Sequence, residues 1–165
     1  MTLVIDANNL VLGRLASETA SILLEKYQVK MFGNKEIRPS DHKEIYIINA
    51  EKAVLSGEPN QISNRYMRRI HIKVNTNPRR GPFFPRNPTS IVKRAIRGML
   101  PYRQDKGKLA IKKLKVYIGT PSFLKEAETI TFSKANADKF TCKRITVGDL
   151  SKRIGSYYSR LETVN

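Results

Sequence analysis

The residues of this chain best able to do chemistry are its arginines and lysines, and the chemistry they suit is neutralising phosphate. The segment Arg79-Arg80-Gly81-Pro82-Phe83-Phe84-Pro85-Arg86 sets arginines beside residues that stiffen or free the backbone. An arginine grips phosphate through two donors, while glycine and proline limit competing local structure. Phe83 and Phe84 have two readings: they stack on splayed bases or ribose faces, or they anchor the loop to the core as most aromatics do. Arg79, Arg80 and Arg86 have no comparable core role. Downstream, Ser90, Lys93, Arg94 and Arg97 share one face of a helix at 100° per residue, opposite Ile91, Val92, Ala95, Ile96 and Met99. A basic helix face is usually just solvated, but this one directly follows the arginine loop.

The wider charge pattern sharpens this reading. The 165 residues carry 31 Lys plus Arg against 14 Asp plus Glu, a net charge of +17. Sixteen of the basic residues lie between Arg65 and Lys115, where Asp105 is the only acid, so this block holds +15 and the rest of the chain +2. A block so poor in acid repels itself unless another charge compensates it, which favours a polyanionic partner over a merely soluble surface. The candidate RNA-binding residues are therefore Arg65, Arg68, Arg69, Arg79, Arg80, Arg86, Lys93, Arg94, Arg97, Arg103, Lys106 and Lys108.

Other chemistries find less support. The lone Cys142 cannot form an internal disulfide, and with only His42 and His71 beside it no Cys/His zinc cluster is expected. The turn Asn8-Asn9-Leu10-Val11-Leu12-Gly13-Arg14 has one glycine where a dinucleotide fingerprint needs three, and no GxxxxGK[ST] phosphate loop occurs. Asp6, Asp41, Glu51 and Asp105 are scattered in sequence, so no motif assembles acid/base or nucleophilic groups. No catalytic residue, metal or cofactor is expected. Zinc-finger spacing, a basic region with heptads, ribonucleoprotein aromatic motifs and the GXXG loop of the KH module are all missing, which leaves recognition of folded RNA by shape and phosphate. Prolines interleave the basic block, no apolar run approaches a bilayer span, and the first residues lack the features of a signal peptide, so no membrane partner and a cytoplasmic, reducing location are expected.

These cations need a scaffold. Leu3 to Ala7 reads as a buried strand, followed by a helix from about Gly13 to Lys26. Residues 28 to 43 are polar and broken by Gly33, Pro39 and Asp41; Ile45 to Ile48 then reads as a strand buried on both faces. Asn49 is placed to cap a short helix through Glu51 to Leu55, which Gly57 stops. Further helices are expected at about Gln61 to Ile72, from Asn87-Pro88 to the residue before Pro101, and at Lys106 to Lys113, with an irregular loop over Asn75 to Asn87 and a strand at Leu114 to Ile118. Thr146-Val147-Gly148-Asp149 resembles a capping box with Asp for Glu, opening a helix through Leu150 to Ile154 that Gly155 ends. Strands alternating with helices argue for a parallel sheet covered by helices, in one domain spanning 1–165.

In order along the chain, Val4-Ile5-Asp6-Ala7, Leu12-Gly13-Arg14-Leu15-Ala16-Ser17, Asn49-Ala50-Glu51-Lys52-Ala53-Val54-Leu55-Ser56-Gly57, Arg80-Gly81-Pro82, Arg97-Gly98-Met99-Leu100-Pro101 and Val116-Tyr117-Ile118-Gly119 resemble the signatures of the universal large-subunit ribosomal protein thirteen family. Arg80-Gly81-Pro82 and the tail Ile145-Thr146-Val147-Gly148-Asp149-Leu150 with Gly155 resemble its archaeal and eukaryotic branch, called thirteen-a in eukaryotes. The resemblance implies a three-layer α/β/α fold on a mostly parallel four-stranded sheet, with a basic loop, an insertion at about 28–43 and a C-terminal extension from about 120. It also implies a structural, non-enzymatic place in the large ribosomal subunit, binding large-subunit ribosomal RNA and neighbouring ribosomal proteins, with no homo-oligomer. The alternative from another class is an extraribosomal RNA-binding regulator or an RNA-modifying enzyme.

Overall fold

The computed structural model describes residues 2–24, 30–32, 35–37, 44–139 and 141–156. Its first strand, β1 (Thr2–Asp6), is an apolar run that leads into α1 (Leu12–Leu23), whose Leu12, Leu15, Ala16, Thr19, Ala20 and Leu23 return at helical spacing and are buried. In the segment read as polar and broken, β2 (Lys30–Phe32) and β3 (Lys35–Ile37) pair antiparallel in a two-stranded sheet of their own, while Gly33, Pro39 and Asp41 lie outside the described residues. Next comes β4 (Glu44–Ile48), which lies parallel to β1 with Ile5 opposite Ile47.

The helix expected after Asn49 does not form. Asn49 takes the left-handed conformation with φ 55°, which is not the extended backbone of an N-cap, and its side chain donates to Asp6 at 2.8 Å instead of capping. Only one 3₁₀ turn follows, Ala50–Lys52, before the chain straightens into β5 (Val54–Ser56). That strand pairs antiparallel with β8 (Arg144–Thr146), putting Leu55 opposite Ile145.

The basic block supplies α2 (Pro59–His71), α3 (Pro88–Met99) and α4 (Asp105–Lys113), then β6 (Leu114–Val116). Pro88 opens α3 as expected, but Asn87 caps nothing; its side-chain oxygen accepts from the Ser156 hydroxyl at 2.7 Å. Ile91, Val92 and Ile96 enter the core, whereas Met99 is 45% exposed because the helix ends there and Leu100, 4% exposed, takes the next inward position. β7 (Thr129–Ile130), in the part of the sequence that gave no clear pattern, completes a sheet of order β6-β4-β1-β7 whose neighbours all run parallel.

The fold is three-layer α/β. Val116, Ile47, Ile5 and Ile130 form one row across the sheet on the face that shares a core with α1, α3 and α4. The alternate positions Val4, Tyr46 and Ile48 face the other way, against Leu124 and Ala127. Thr146 caps α5 (Val147–Arg153), accepting from the Asp149 N–H at 3.0 Å as in a capping box, while the Asp149 carboxylate accepts from the Thr146 hydroxyl at 2.7 Å instead of from its backbone N–H. Gly155, at φ 73°, ends it. Among the described residues, no helix is long and apolar enough to cross a membrane.

Candidate nucleic-acid interface

All twelve cations singled out in the sequence are exposed. The structure draws only some of them together. On α3, Ser90, Lys93, Arg94 and Arg97 share a face, as the i, i+3, i+4, i+7 spacing requires. Facing them, α4 contributes Lys108 and Ile111, and the two helices bound a depression of about 470 Å³ that Pro85 and Tyr102 complete. A second, smaller depression of about 240 Å³ lies between α2 and α3, lined by Tyr66, Arg69, Phe84, Ile91, Arg94 and Ala95 among others. Because Arg94 lines both, they adjoin, and a cationic surface runs from Arg69 through Arg94 and Arg97 to Lys108.

The guanidinium groups at its centre are held in place. Arg94 donates to the Phe83 carbonyl at 3.2 Å and lies over the Phe84 ring, 4.3 Å from its centroid. Arg97 lies 4.8 Å over the Tyr102 ring. The two readings of the phenylalanine pair therefore divide: Phe84 is half-buried beneath Arg94, whereas Phe83 is 75% exposed. Width is set by Gly107, the buried glycine of α4. A Cβ there would sit 2.2 Å from the Pro101 carbonyl oxygen, so only glycine lets α4 approach the Pro101–Tyr102 turn that closely.

The remaining candidates are distributed around this surface. Arg68 lines a separate depression on α2 with Asn64, Met67, His71 and Ile72. Arg79 and Arg80 occupy a 3₁₀ turn, Pro78–Arg80, which Asn77 caps by accepting from the Arg79 N–H at 3.0 Å. Gly81 is buried behind it, and a Cβ there would meet the Val74 nitrogen and Pro78 oxygen at 3.3 Å. Arg86 is tied to the C-terminal helix: its carbonyl accepts from the Ser151 hydroxyl at 2.6 Å and its guanidinium reaches the Gly155 carbonyl at 3.4 Å. Arg65, Arg103 and Lys106 are exposed on α2, on the turn after Pro101 and on α4. Sequence reasoning passed over Tyr102 and Ile111. The available signals were a tyrosine set directly behind the helix-stopping Pro101 and an isoleucine three residues after Lys108.

A larger crevice, about 820 Å³, opens beyond the ends of β1 and β5, lined by Asn8, Asn9, Glu51, Lys52, Arg144, Asp149, Lys152 and Arg153 among others. Its charges are mixed: Glu51 accepts from the Gly119 N–H at 3.1 Å, Asp149 is bonded to Thr146, Arg153 donates to Asn60 and Arg144 pairs with Asp138 at 3.7 Å. Four cations and two acids line it, a sum of +2, against four cations and no acid in the depression between α3 and α4. Among the described ion pairs of the basic block are Lys108 with Asp105 at 3.1 Å and Lys115 with Glu44 at 3.7 Å, all four side chains exposed and the pairs therefore weak. Among the described residues, no three His, Cys, Asp or Glu side chains converge as metal ligands.

Comparison with known proteins bears on what this surface serves. Residues 1–122 match the family model described as Ribosomal protein L13. The chain is 42% identical to the large ribosomal subunit protein uL13 of Methanosarcina barkeri over 94% of its length and 99% of the relative's. It is 40% identical to that of Methanocaldococcus jannaschii, covering 94% of this chain and 98% of the relative. For Sulfolobus acidocaldarius the identity is 36%, with 92% of each chain covered. These archaeal relatives agree with the branch to which the arginine loop and the tail point, and the chain belongs to the ribosomal protein L13 family, a family of structural ribosomal proteins and not of enzymes.

Proposed function

We propose that the chain is a structural constituent of the large ribosomal subunit in the cytoplasm, binding folded large-subunit ribosomal RNA and neighbouring ribosomal proteins. The observation that carries this reading is the adjoining pair of cationic depressions centred on Arg94, in a block where the charge is +15. Arg69, Lys93, Arg94, Arg97 and Lys108 neutralise phosphates that folded RNA brings close together. Arg65, Arg68, Arg79, Arg80, Arg86, Arg103 and Lys106 extend the contact to flanking strands. The relatives' names as large ribosomal subunit proteins support the assignment.

Sucrose-gradient sedimentation of a lysate tests it: the chain is expected to travel with the large subunit through moderate salt. Recovery mainly in the soluble fraction would support a free RNA-binding regulator instead. For purified chain and large-subunit RNA, log affinity should fall against log salt with a slope of about −0.7 to −0.9 per phosphate contact. A nearly flat line would remove phosphate neutralisation as the mechanism.

A further inference from the structure

The depression between α3 and α4 is built differently from a surface that serves only duplex phosphates. Its rim is cationic, with Lys93, Arg94, Arg97 and Lys108, but the Tyr102 ring, Ile111 and Pro85 give it an apolar lining. At about 470 Å³ it falls within the ~300–1,000 Å³ of sites that enclose a small molecule. A paired RNA helix would leave this apolar lining unused, because its bases remain stacked and it offers phosphates, 2′-hydroxyls and base edges but no base faces. An extruded base has flat apolar faces and stays joined to an anionic phosphate. Both of its parts match what the depression offers.

We propose that this depression is a binding site for one unpaired RNA nucleotide, its base lying against Tyr102 and Ile111 and its phosphate at the Lys93, Arg97 and Lys108 rim. This rests on the RNA-binding reading above and adds to it the conformation of the RNA recognised. The Arg94 and Arg97 guanidinium carbons already lie 4.3 and 4.8 Å over the centroids of the Phe84 and Tyr102 rings, so less side-chain freedom remains to be lost when the nucleotide enters. Stacking on a ring tolerates any base, so the site selects an unpaired position and not a particular sequence. Gly107 belongs to the same design, since a side chain there would push α4 off the Tyr102 turn and spread the walls.

The test compares two RNA hairpins with identical stems, one fully paired and one carrying a single bulged nucleotide, each of the four bases in turn, against the full chain at one salt concentration. The bulged hairpins are expected to bind about 10-fold more tightly. Tyr102→Ala should bring the ratio of the two affinities to about one, and Tyr102→Phe should preserve it. A measurement on the unaltered chain guards against a misfolded variant: the Ile111 methyl resonances should move on adding bulged RNA and stay in place with the paired hairpin. Equal affinities for both hairpins, a preference that survives Tyr102→Ala in a folded variant, or Ile111 shifts common to both RNAs would overturn the nucleotide site and leave RNA binding intact. Failure of both RNAs to bind would overturn the RNA-binding reading and this site with it.

Discussion

Asn49 illustrates what a single residue decides that local pattern does not reveal. Ahead of Glu51-Lys52-Ala53 it has the composition of an N-cap, yet it turns the chain instead, at φ 55° and ψ 39°. Asparagine tolerates that region better than other non-glycine residues, and here its side chain also donates to Asp6, which accepts the Asn8 N–H as well. The partner lies 43 residues away, so no local window could have shown it. Asn49→Ala should lose both the bond and the tolerance, costing about 1–2 kcal/mol in denaturant melts, while Asn49→Gly should cost less because glycine keeps the turn. An equal loss in both variants would mean that the left-handed turn carries none of the effect. Of the candidate surface, the arginines stand out in composition alone, whereas Tyr102 does not, because its place in the depression depends on Gly107 letting α4 approach the turn.

At the level of elements, the sequence was clearest where periodicity is long. The strands β1 and β4 were placed to within a few residues as continuous apolar runs, and the helices α1 and α3 because at least five positions return on one face of each. The strands β5, β7 and β8 are two or three residues long and hold their places by pairing with distant partners, so they left no periodic trace. Two predictions belong to this scale. On β4 the Tyr46 hydroxyl donates to Glu44, and Lys115 of the adjacent edge strand β6 lies 3.7 Å from that carboxylate. The hydrogen bond first, and the lysine second, hold the Glu44 carboxyl below its ordinary value of about 4.5. A carboxyl lowered on folding contributes stability that is complete above that value and lost as pH falls through the folded one. Acid unfolding curves should therefore diverge for Glu44→Gln, which should be the less stable above pH 4.5 and lose the difference in more acidic solution.

The second concerns the loop around Arg79 and Arg80. Its bonds are local, from the Asn77 cap and the Arg80 and Gly81 N–H groups to carbonyls of the same turn, while anchorage to the body comes later, at Phe83 through Arg94 and at Arg86 through Ser151. Three prolines, one glycine and three arginines between Asn75 and Asn87 bring little apolar surface to offset ordering entropy. Amides at Arg79 to Gly81 are expected to exchange freely in the isolated chain and to gain protection on RNA. Protection without RNA comparable to that of Ile45 to Ile48 would make the turn part of the rigid scaffold.

For the whole molecule, the decisive quantity is where the charge lies. The core is ordinary, continuous from the sheet through α1 and α3 to Val147 and Leu150 of α5. Charge at +15 in one block, with its acid Asp105 already facing Lys108, means that the free chain is folded against its own repulsion. Salt should then act in opposite directions on two observables. Screening shortens the reach of the repulsion to about 10 Å at 0.1 M and ~3 Å at 1 M, so the melting temperature of the free chain should rise between low and moderate sodium chloride, by about 2–4 °C if the relief is on the order of 1 kcal/mol. The same salt weakens RNA binding by making counterion release less favourable. Replacing Arg94 and Arg97 together by Ala removes two charges from the lining of the adjoining depressions and should reduce both dependences at once. A melting temperature that falls as salt is added would show that attractive ion pairs outweigh the repulsion, and the block's excess charge could not then be the stored drive for RNA binding.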